Sequence, residues 1–259
     1  MKLLNQVAIV TGPAKGMGRA VSLRLAAEGA HLTVAAREIP PLEKLSREVE
    51  ALGRRALVVP TDVREEASVR QMVERTIEAF GQIDLLVNMA GITGPIETPV
   101  QEVKVEEWDE VLAVNLRGTF LCVKHVLPAM LARRRGKIVN IAGTSSLRGY
   151  KLRAPYSSSK WAVRGFTRTV ALEAGPYNVN VNCVAPGIVS GDRMDRLCRE
   201  KARKRGWTPE QVRQEYVNEM ALRRVTTAED VTSAVLFLCS EESRNMTGQT
   251  ITVDGGWDV

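Results

Sequence analysis

Cysteine and histidine are scarce in this chain. Four cysteines (Cys122, Cys183, Cys198, Cys239) and two histidines (His31, His125) are spread over 259 residues. No two cysteines stand at C-x-x-C spacing, which argues against both a zinc site and a disulfide framework. No metal is expected, and the thiol pattern suits a reducing, cytoplasmic setting. Long apolar runs are missing too. None approaches the ~20 residues of a membrane span, so no membrane association is expected. The opening MKLLNQVAIVTG has no small-residue cleavage site and reads as a first strand rather than a leader. Aromatics are 5% of the chain, without the stacking or zinc patterns of nucleic-acid modules. Charge is what the chain has in excess: +6 net, with a pI near 9.3. The runs Arg133 to Arg135 and Arg199 to Gly206 contribute to it. Such a balance suits nucleic acid, a membrane surface or an anionic small ligand. A solvated helix face explains most of it more simply, and no nucleic-acid partner is expected.

Short β-branched runs alternate with helical patterns. The strand-like runs are 7–12, 31–37, 55–63, 83–91, 137–143, 179–187 and 250–256. In the first helix Ala20, Leu23 and Ala27 share a face. In the third, Val69, Met72, Val73, Ile77 and Phe80 follow helical spacing. Strands that are apolar throughout and separated by helices indicate a parallel sheet covered on both sides. The expectation is a single doubly wound α/β domain of the Rossmann type over 1–259, with a seven-stranded parallel sheet. No repeat or linker interrupts it. The charged segment 188–224 follows a strand's C-terminal end, where open α/β sheets bind ligands, and reads as a substrate lid.

The first strand runs into TGPAKGMG, Thr11 to Gly18, and then a helix. Between a first strand and a first helix, Gly12, Gly16 and Gly18 allow a tight turn. Backbone N–H groups can then meet a pyrophosphate at the helix N-terminus. NAD-preferring sites usually end the second strand in a carboxylate that holds the ribose 2′-OH. Here that strand ends Ala35-Ala36-Arg37, with no acid before Glu38, and Lys15 lies in the glycine turn. Two cations suit a 2′-phosphate, so the expected cofactor is NADP(H); simple surface exposure of both is the alternative.

Tyr156 and Lys160 are four apart at the start of a helical pattern whose apolar stripe includes Ala162, Phe166 and Val170. They share a helix face. A free phenol titrates near ~10, too high for proton exchange at neutral pH. A neighbouring ammonium favours the phenolate and lowers that value. Tyr156 can then protonate a carbonyl oxygen or take a proton from an alcohol. Tyr150 has Ala154 at i+4 and lacks such a partner.

The chain resembles the classical short-chain dehydrogenase/reductases over essentially its whole length. The matching pieces are TGPAKGMG (11–18), Asp62-Val63, NMAG (88–91), Asn115 in NLRG, YSSSK (156–160), Ala185-Pro186-Gly187 and VDGG (253–256). The resemblance implies a cofactor site built from Gly12, Lys15, Gly16, Met17, Gly18, Arg37, Asp62, Val63, Asn88, Ala90, Gly91, Pro186, Gly187 and Val189, together with Tyr156 and Lys160. Asp62 would meet the adenine, Asn88 the central strand and a ribose, and Pro186-Gly187 the nicotinamide. Lys160 would also bind the nicotinamide ribose, and Asn115 would hold a water linking Lys160 to solvent. The family usually reads NNAG; Met89 replaces the second Asn here, with little consequence expected. A homotetramer is also implied, with the helices containing Asn115 and Tyr156 packed between subunits.

One departure stands out. The family's catalytic serine lies thirteen positions before the tyrosine, and that position is Gly143. Three hydroxyls follow: Thr144, Ser145 and Ser146. Glycine's backbone freedom would let the chain turn differently. If the chain continues extended, residues i and i+2 share a side, which favours Ser145, then Ser146, then Thr144. The rival is that no hydroxyl substitutes, which would remove ~3–4 kcal/mol of transition-state stabilisation.

Basic residues flank the expected substrate position: Arg148, Lys151 and Arg153 before Tyr156, and Arg193, Arg196 and Arg199 in the lid segment. They either meet an anionic substrate or carry surface charge. Ile188, Val189, Met194 and Leu197 equally suit an apolar pocket. The expected function is NADP(H)-dependent interconversion of a small-molecule carbonyl and a secondary alcohol, with Asn115, Ser145, Tyr156 and Lys160 catalytic. The alternatives are an NAD(H)-preferring alcohol dehydrogenase and a non-catalytic dinucleotide-binding regulator.

Overall fold

A computed structural model describes residues 1–257 and 259. Seven parallel strands form one sheet in the order β3-β2-β1-β4-β5-β6-β7. They are β1 (Val7–Thr11), β2 (His31–Ala36), β3 (Ala56–Pro60), β4 (Leu85–Asn88), β5 (Gly136–Ile141), β6 (Val179–Pro186) and β7 (Thr250–Val253). The order reverses between β1 and β4, which opens a crevice at the strands' C-terminal ends. The expected architecture is therefore present. Several strands are shorter than the apolar runs, because their last residues turn into the loops that build the site.

The helices are α1 (Gly16–Ala27), α2 (Ile39–Ala51), α3 (Glu66–Phe80), α4 (Val105–Leu112), α5 (Gly118–Arg133), α6 (Ala154–Ala174), α7 (Asp192–Arg205), α8 (Pro209–Glu219) and α9 (Ala228–Cys239). Side chains alternate along each strand, so one strand feeds two cores. Ala8, Val10, Leu32, Val34, Leu85 and Val87 pack with α1, α2 and α9. Ile9, Val59, Leu86, Ile138 and Val181 pack with α3, α5 and α6. Burying each large aliphatic contributes about 1.5–3 kcal/mol.

The face expected for α1 is not the one that packs. Val21, Ser22, Leu25 and Ala26 are buried with Gly18, whereas Ala27 is exposed. Gly18 packs tightly against the glycine turn, since a Cβ there would stand 2.3 Å from the Gly12 carbonyl oxygen, while the buried Ser22 hydroxyl is satisfied within the helix by the Gly18 carbonyl at 2.9 Å. In α3, Val69, Met72 and Val73 are buried as expected, while Ile77 faces out. Segment 188–224 contains α7 and α8, which enclose a third core of Met194, Leu197, Val212 and Tyr216 against Ile96 and Trp257.

Candidate active site

Polar side chains tie β4, β5 and α6 together. Asn88 donates to the Asn140 side-chain oxygen at 2.8 Å, and Asn140 donates to Thr167 of α6 at 2.9 Å. Two turns earlier on α6, Lys160 Nζ donates to the Ile141 carbonyl at 2.8 Å. These two bonds fix the height and rotation of α6 above the sheet. The helix starts two residues before Tyr156, with Pro155 in its first turn, where a missing N–H is tolerated.

Tyr156 is half-buried and Lys160 buried, with Lys160 Nζ 5.7 Å from the phenol ring centroid. Burial pushes the Tyr156 phenol up, yet Lys160, Arg193 and Arg153 together hold it below the ordinary tyrosine value. Burial likewise lowers Lys160, against the pull of Tyr156. Tyr150 behaves oppositely: burial pushes it up to about 12, and its hydroxyl bonds to Tyr216 at 2.9 Å. Within this stretch, the phenol suited to proton exchange is Tyr156.

Gly143 ends the strand at φ 130°, ψ 162°, a conformation that is essentially glycine's alone. A Cβ there would lie 3.6 Å from Ser145 Oγ, 3.6 Å from Tyr156 Oη and 3.7 Å from the Pro186 carbonyl oxygen. Ser145 and Tyr156 thus converge in front of the glycine. Residues 144–146 form a tight helical turn, so the extended-chain reason for choosing Ser145 does not hold. A different one applies. Ser146 Oγ is committed to the Gly143 carbonyl at 2.7 Å, while Ser145 Oγ is buried without a protein partner. Thr144 is also buried.

Asn115 sits where the helix widens to a π-turn over Ala113–Arg117, a deformation common at functional sites. Its amide accepts from the Ile92 N–H at 2.8 Å and donates to the Ile92 carbonyl and Ser159 Oγ, both at 3.0 Å. It thereby fixes the loop after β4. A Cβ on Gly91 would stand 3.2 Å from Asn115 Oδ1 and 3.6 Å from Lys160 Nζ, so these three residues meet.

The remaining expected positions ring the same crevice. A Cβ on Gly12 would strike Ala90 Cα at 2.8 Å, while Gly16, at φ +56°, has open space beside it. Close packing behind the turn and room in front of it, at a helix N-terminus, fit a pyrophosphate. Met17 is half-buried against the first core, and Thr11 Oγ1 accepts from the Met89 and Ala90 N–H groups at 3.2 and 3.3 Å. Lys15 and Arg37 are exposed, and Arg37 lies close enough to Asp62 to favour its ionised form. Arg64 occupies both Asp62 oxygens, at 2.6–3.1 Å, and holds that carboxyl below its usual range. Arg64 was not singled out in the sequence; its position two residues after Asp62 was the available signal. Val63 is buried, and a Cβ on Gly118 would touch it at 2.7 Å. Asn88 Oδ1 is buried without a protein partner. A Cβ on Gly187 would meet Asp254 at 2.7 Å, and Val189 bridges to Thr226.

Among the described residues no group of side chains could hold a metal. No helix among them is long and apolar enough to cross a membrane. The four cysteines are free and buried.

The family model described as enoyl-(acyl carrier protein) reductase matches residues 12–258. A 3-oxoacyl-[acyl-carrier-protein] reductase of Thermotoga maritima is 36% identical over 258 residues, covering 99% of each chain. NAD+-bound xylitol dehydrogenase superposes with a TM-score of 0.95 at 32% identity, over 99% of this chain and 100% of its own. Actinorhodin polyketide ketoreductase with NADPH gives 0.93 at 32%, over 97% of both.

Proposed function

This chain belongs to the classical short-chain dehydrogenase/reductase family, and from that premise we propose an NADP(H)-dependent oxidoreductase interconverting a carbonyl and a secondary alcohol. One observation carries the catalytic assignment: the unpartnered Ser145 Oγ and Tyr156 Oη converge in front of Gly143.

A dinucleotide bound here would supply or accept the hydride. In reduction, Tyr156 gives its proton to the substrate oxygen while Ser145 donates a hydrogen bond to the same atom. In oxidation the tyrosinate takes the alcohol proton. Lys160 favours the phenolate electrostatically, and Asn115 fixes the loop beside Lys160. The first-turn N–H groups of α1 would hold its pyrophosphate, and Lys15 and Arg37 would meet the 2′-phosphate. Segment 188–224 acts as the lid. Support for NADP(H) comes from this cation pair and from the NADPH complex of the ketoreductase. The NAD+-bound xylitol dehydrogenase favours the second reading, NAD(H) preference, as does Glu38 directly after Arg37.

The test is consumption of NADPH and NADH by the wild type, Ser145→Ala and Arg37→Ala on a panel of ketones. Ser145→Ala is expected to lower kcat by roughly 100- to 1000-fold, as loss of one transition-state donor does. Arg37→Ala is expected to weaken NADPH alone. Equal weakening of both cofactors would support the NAD(H) reading, and an unchanged Ser145→Ala would remove that residue from the site.

A further inference from the structure

The cations of α7 are not treated alike. At its far end, Lys201 and Arg205 pair with Glu97 at 3.4 and 2.9 Å, and Arg205 also pairs with Glu215 at 2.8 Å. Arg196 has Glu200 at 3.8 Å. On α8, Arg213 meets Asp195 at 2.6 Å. The two guanidinium groups acting on Tyr156 have no acid among the described residues. Arg193 donates to the Gly91 carbonyl at 2.7 Å. Arg153 is 2% exposed, and its guanidinium carbon lies 4.9 Å from the Tyr156 ring centroid. Arg153 Nη2 donates to the Thr93 carbonyl at 3.1 Å, but its Nε and Nη1 are buried without a partner.

A buried guanidinium lacking a counter-charge is expensive to retain. Acids are supplied to Arg196, Lys201 and Arg205 of α7, whereas Arg193 and the buried Arg153 beside the reacting phenol have none. Gly91, which carries the carbonyl that Arg193 holds, also adjoins Lys160. Two guanidinium groups without an acid therefore stand where a substrate would meet Tyr156.

We propose that Arg153 and Arg193 form a carboxylate clamp, so that the substrate is a short 2-oxo or 3-oxo acid, or the matching hydroxy acid. A planar carboxylate matches the N–H edge of a guanidinium, with N–O contacts of about 2.8 Å. It takes the place of the Gly91 carbonyl as the acceptor for Arg193, from the exposed side of that arginine, and satisfies Arg153 behind it. The closeness of Arg153 to the Tyr156 ring restricts the acid to within a few bonds of the reacting carbon. Naming a substrate in this way rests on the oxidoreductase reading; the clamp as a binding site does not.

The experiment separates the two. The full chain loaded with NADP+ is titrated by calorimetry with 2- and 3-hydroxybutanoate and with their methyl esters. In parallel, 2-oxobutanoate, acetoacetate and their methyl esters are offered with NADPH and NADH. At least one acid is expected to bind roughly 10- to 100-fold more tightly than its ester, as a hydrogen-bonded charge warrants. Arg193→Gln should bring that ratio to near one, and Arg193→Lys should restore part of it. Arg153→Gln should act in the same direction; if it fails to fold, the exposed Arg193 variants still decide. Equal binding of acid and ester, no binding of either acid, or an unchanged ratio in Arg193→Gln would overturn the clamp. Turnover of esters and acids alike would overturn it while leaving the oxidoreductase reading in place. Preferential acid binding with no ketone reduced would uphold the clamp and remove that reading.

Discussion

At the residue scale the site turns on Gly143. A serine there would restore the family pattern in sequence, and its Cβ would have room, since its nearest neighbours stand at 3.6 Å. The obstacle is the backbone: φ 130° is strained for any L-side chain. Gly143→Ser is therefore expected to cost about 1–3 kcal/mol and to lower the melting temperature by roughly 2–4 °C per kcal/mol. An unchanged melting curve would mean that the turn relaxes without cost. The sequence exposed the missing serine by counting, and the Tyr156–Lys160 pair by its spacing. It could not show that Ser146 is bonded to the Gly143 carbonyl, leaving Ser145 free, because that depends on the turn at 144–146.

The same scale sets the pH behaviour. Alcohol oxidation needs the tyrosinate, so its rate rises with pH up to the Tyr156 pKa and then levels. Burial raises that pKa, but Lys160, Arg193 and Arg153 hold it below the ordinary value of ~10. In Lys160→Met, burial remains and the leading cation is gone, so the rise should move to higher pH and activity at pH 7 should fall. A rise at unchanged pH in the variant would mean that Lys160 does not tune the phenol.

At the scale of elements, the strands were legible as runs apolar throughout and α3 by its helical spacing, because both patterns report burial. The buried face of α1 is not legible in the sequence because it includes the small residues Gly18 and Ser22, which a pattern of large apolar residues does not register. The organisation of segment 188–224 was also beyond a linear reading, since it rests on Glu97. That side chain is only 7% exposed and holds Lys201 and Arg205 of α7, while Lys204 donates to the Ile96 and Glu97 carbonyls. Glu97→Gln leaves Lys201, itself only 6% exposed, without its counter-charge. Breaking a buried pair this way typically costs about 3–5 kcal/mol. The cost should appear as faster amide exchange in α7 and α8, with β4 and β5 still protected. Uniform loss of protection through the sheet would instead make Glu97 a determinant of global stability.

At the scale of the whole molecule, α6 presents a face that the single chain leaves uncovered. Trp161, Gly165, Arg168 and Leu172, at helical spacing i, i+4, i+7 and i+11, are all exposed, Trp161 by 44% and Leu172 by 81%. Phe120 of α5, 43% exposed, packs edge-on against Phe166 and extends the patch. Gly165 has nothing within 4 Å of where its Cβ would lie, so a facing helix could approach closely. Large exposed apolar side chains on one helix face often mark an interface, and a face offered once by every copy suits closed symmetry between identical chains. The homotetramer implied by the family resemblance would use this face. Sedimentation should then give a species of four times the 28.5 kDa chain. Trp161→Glu, at an exposed position, should lower that mass while the far-ultraviolet circular dichroism stays unchanged. A wild type sedimenting as a single chain would show that the face stays in solvent. A variant still sedimenting as four chains would place the contacts elsewhere.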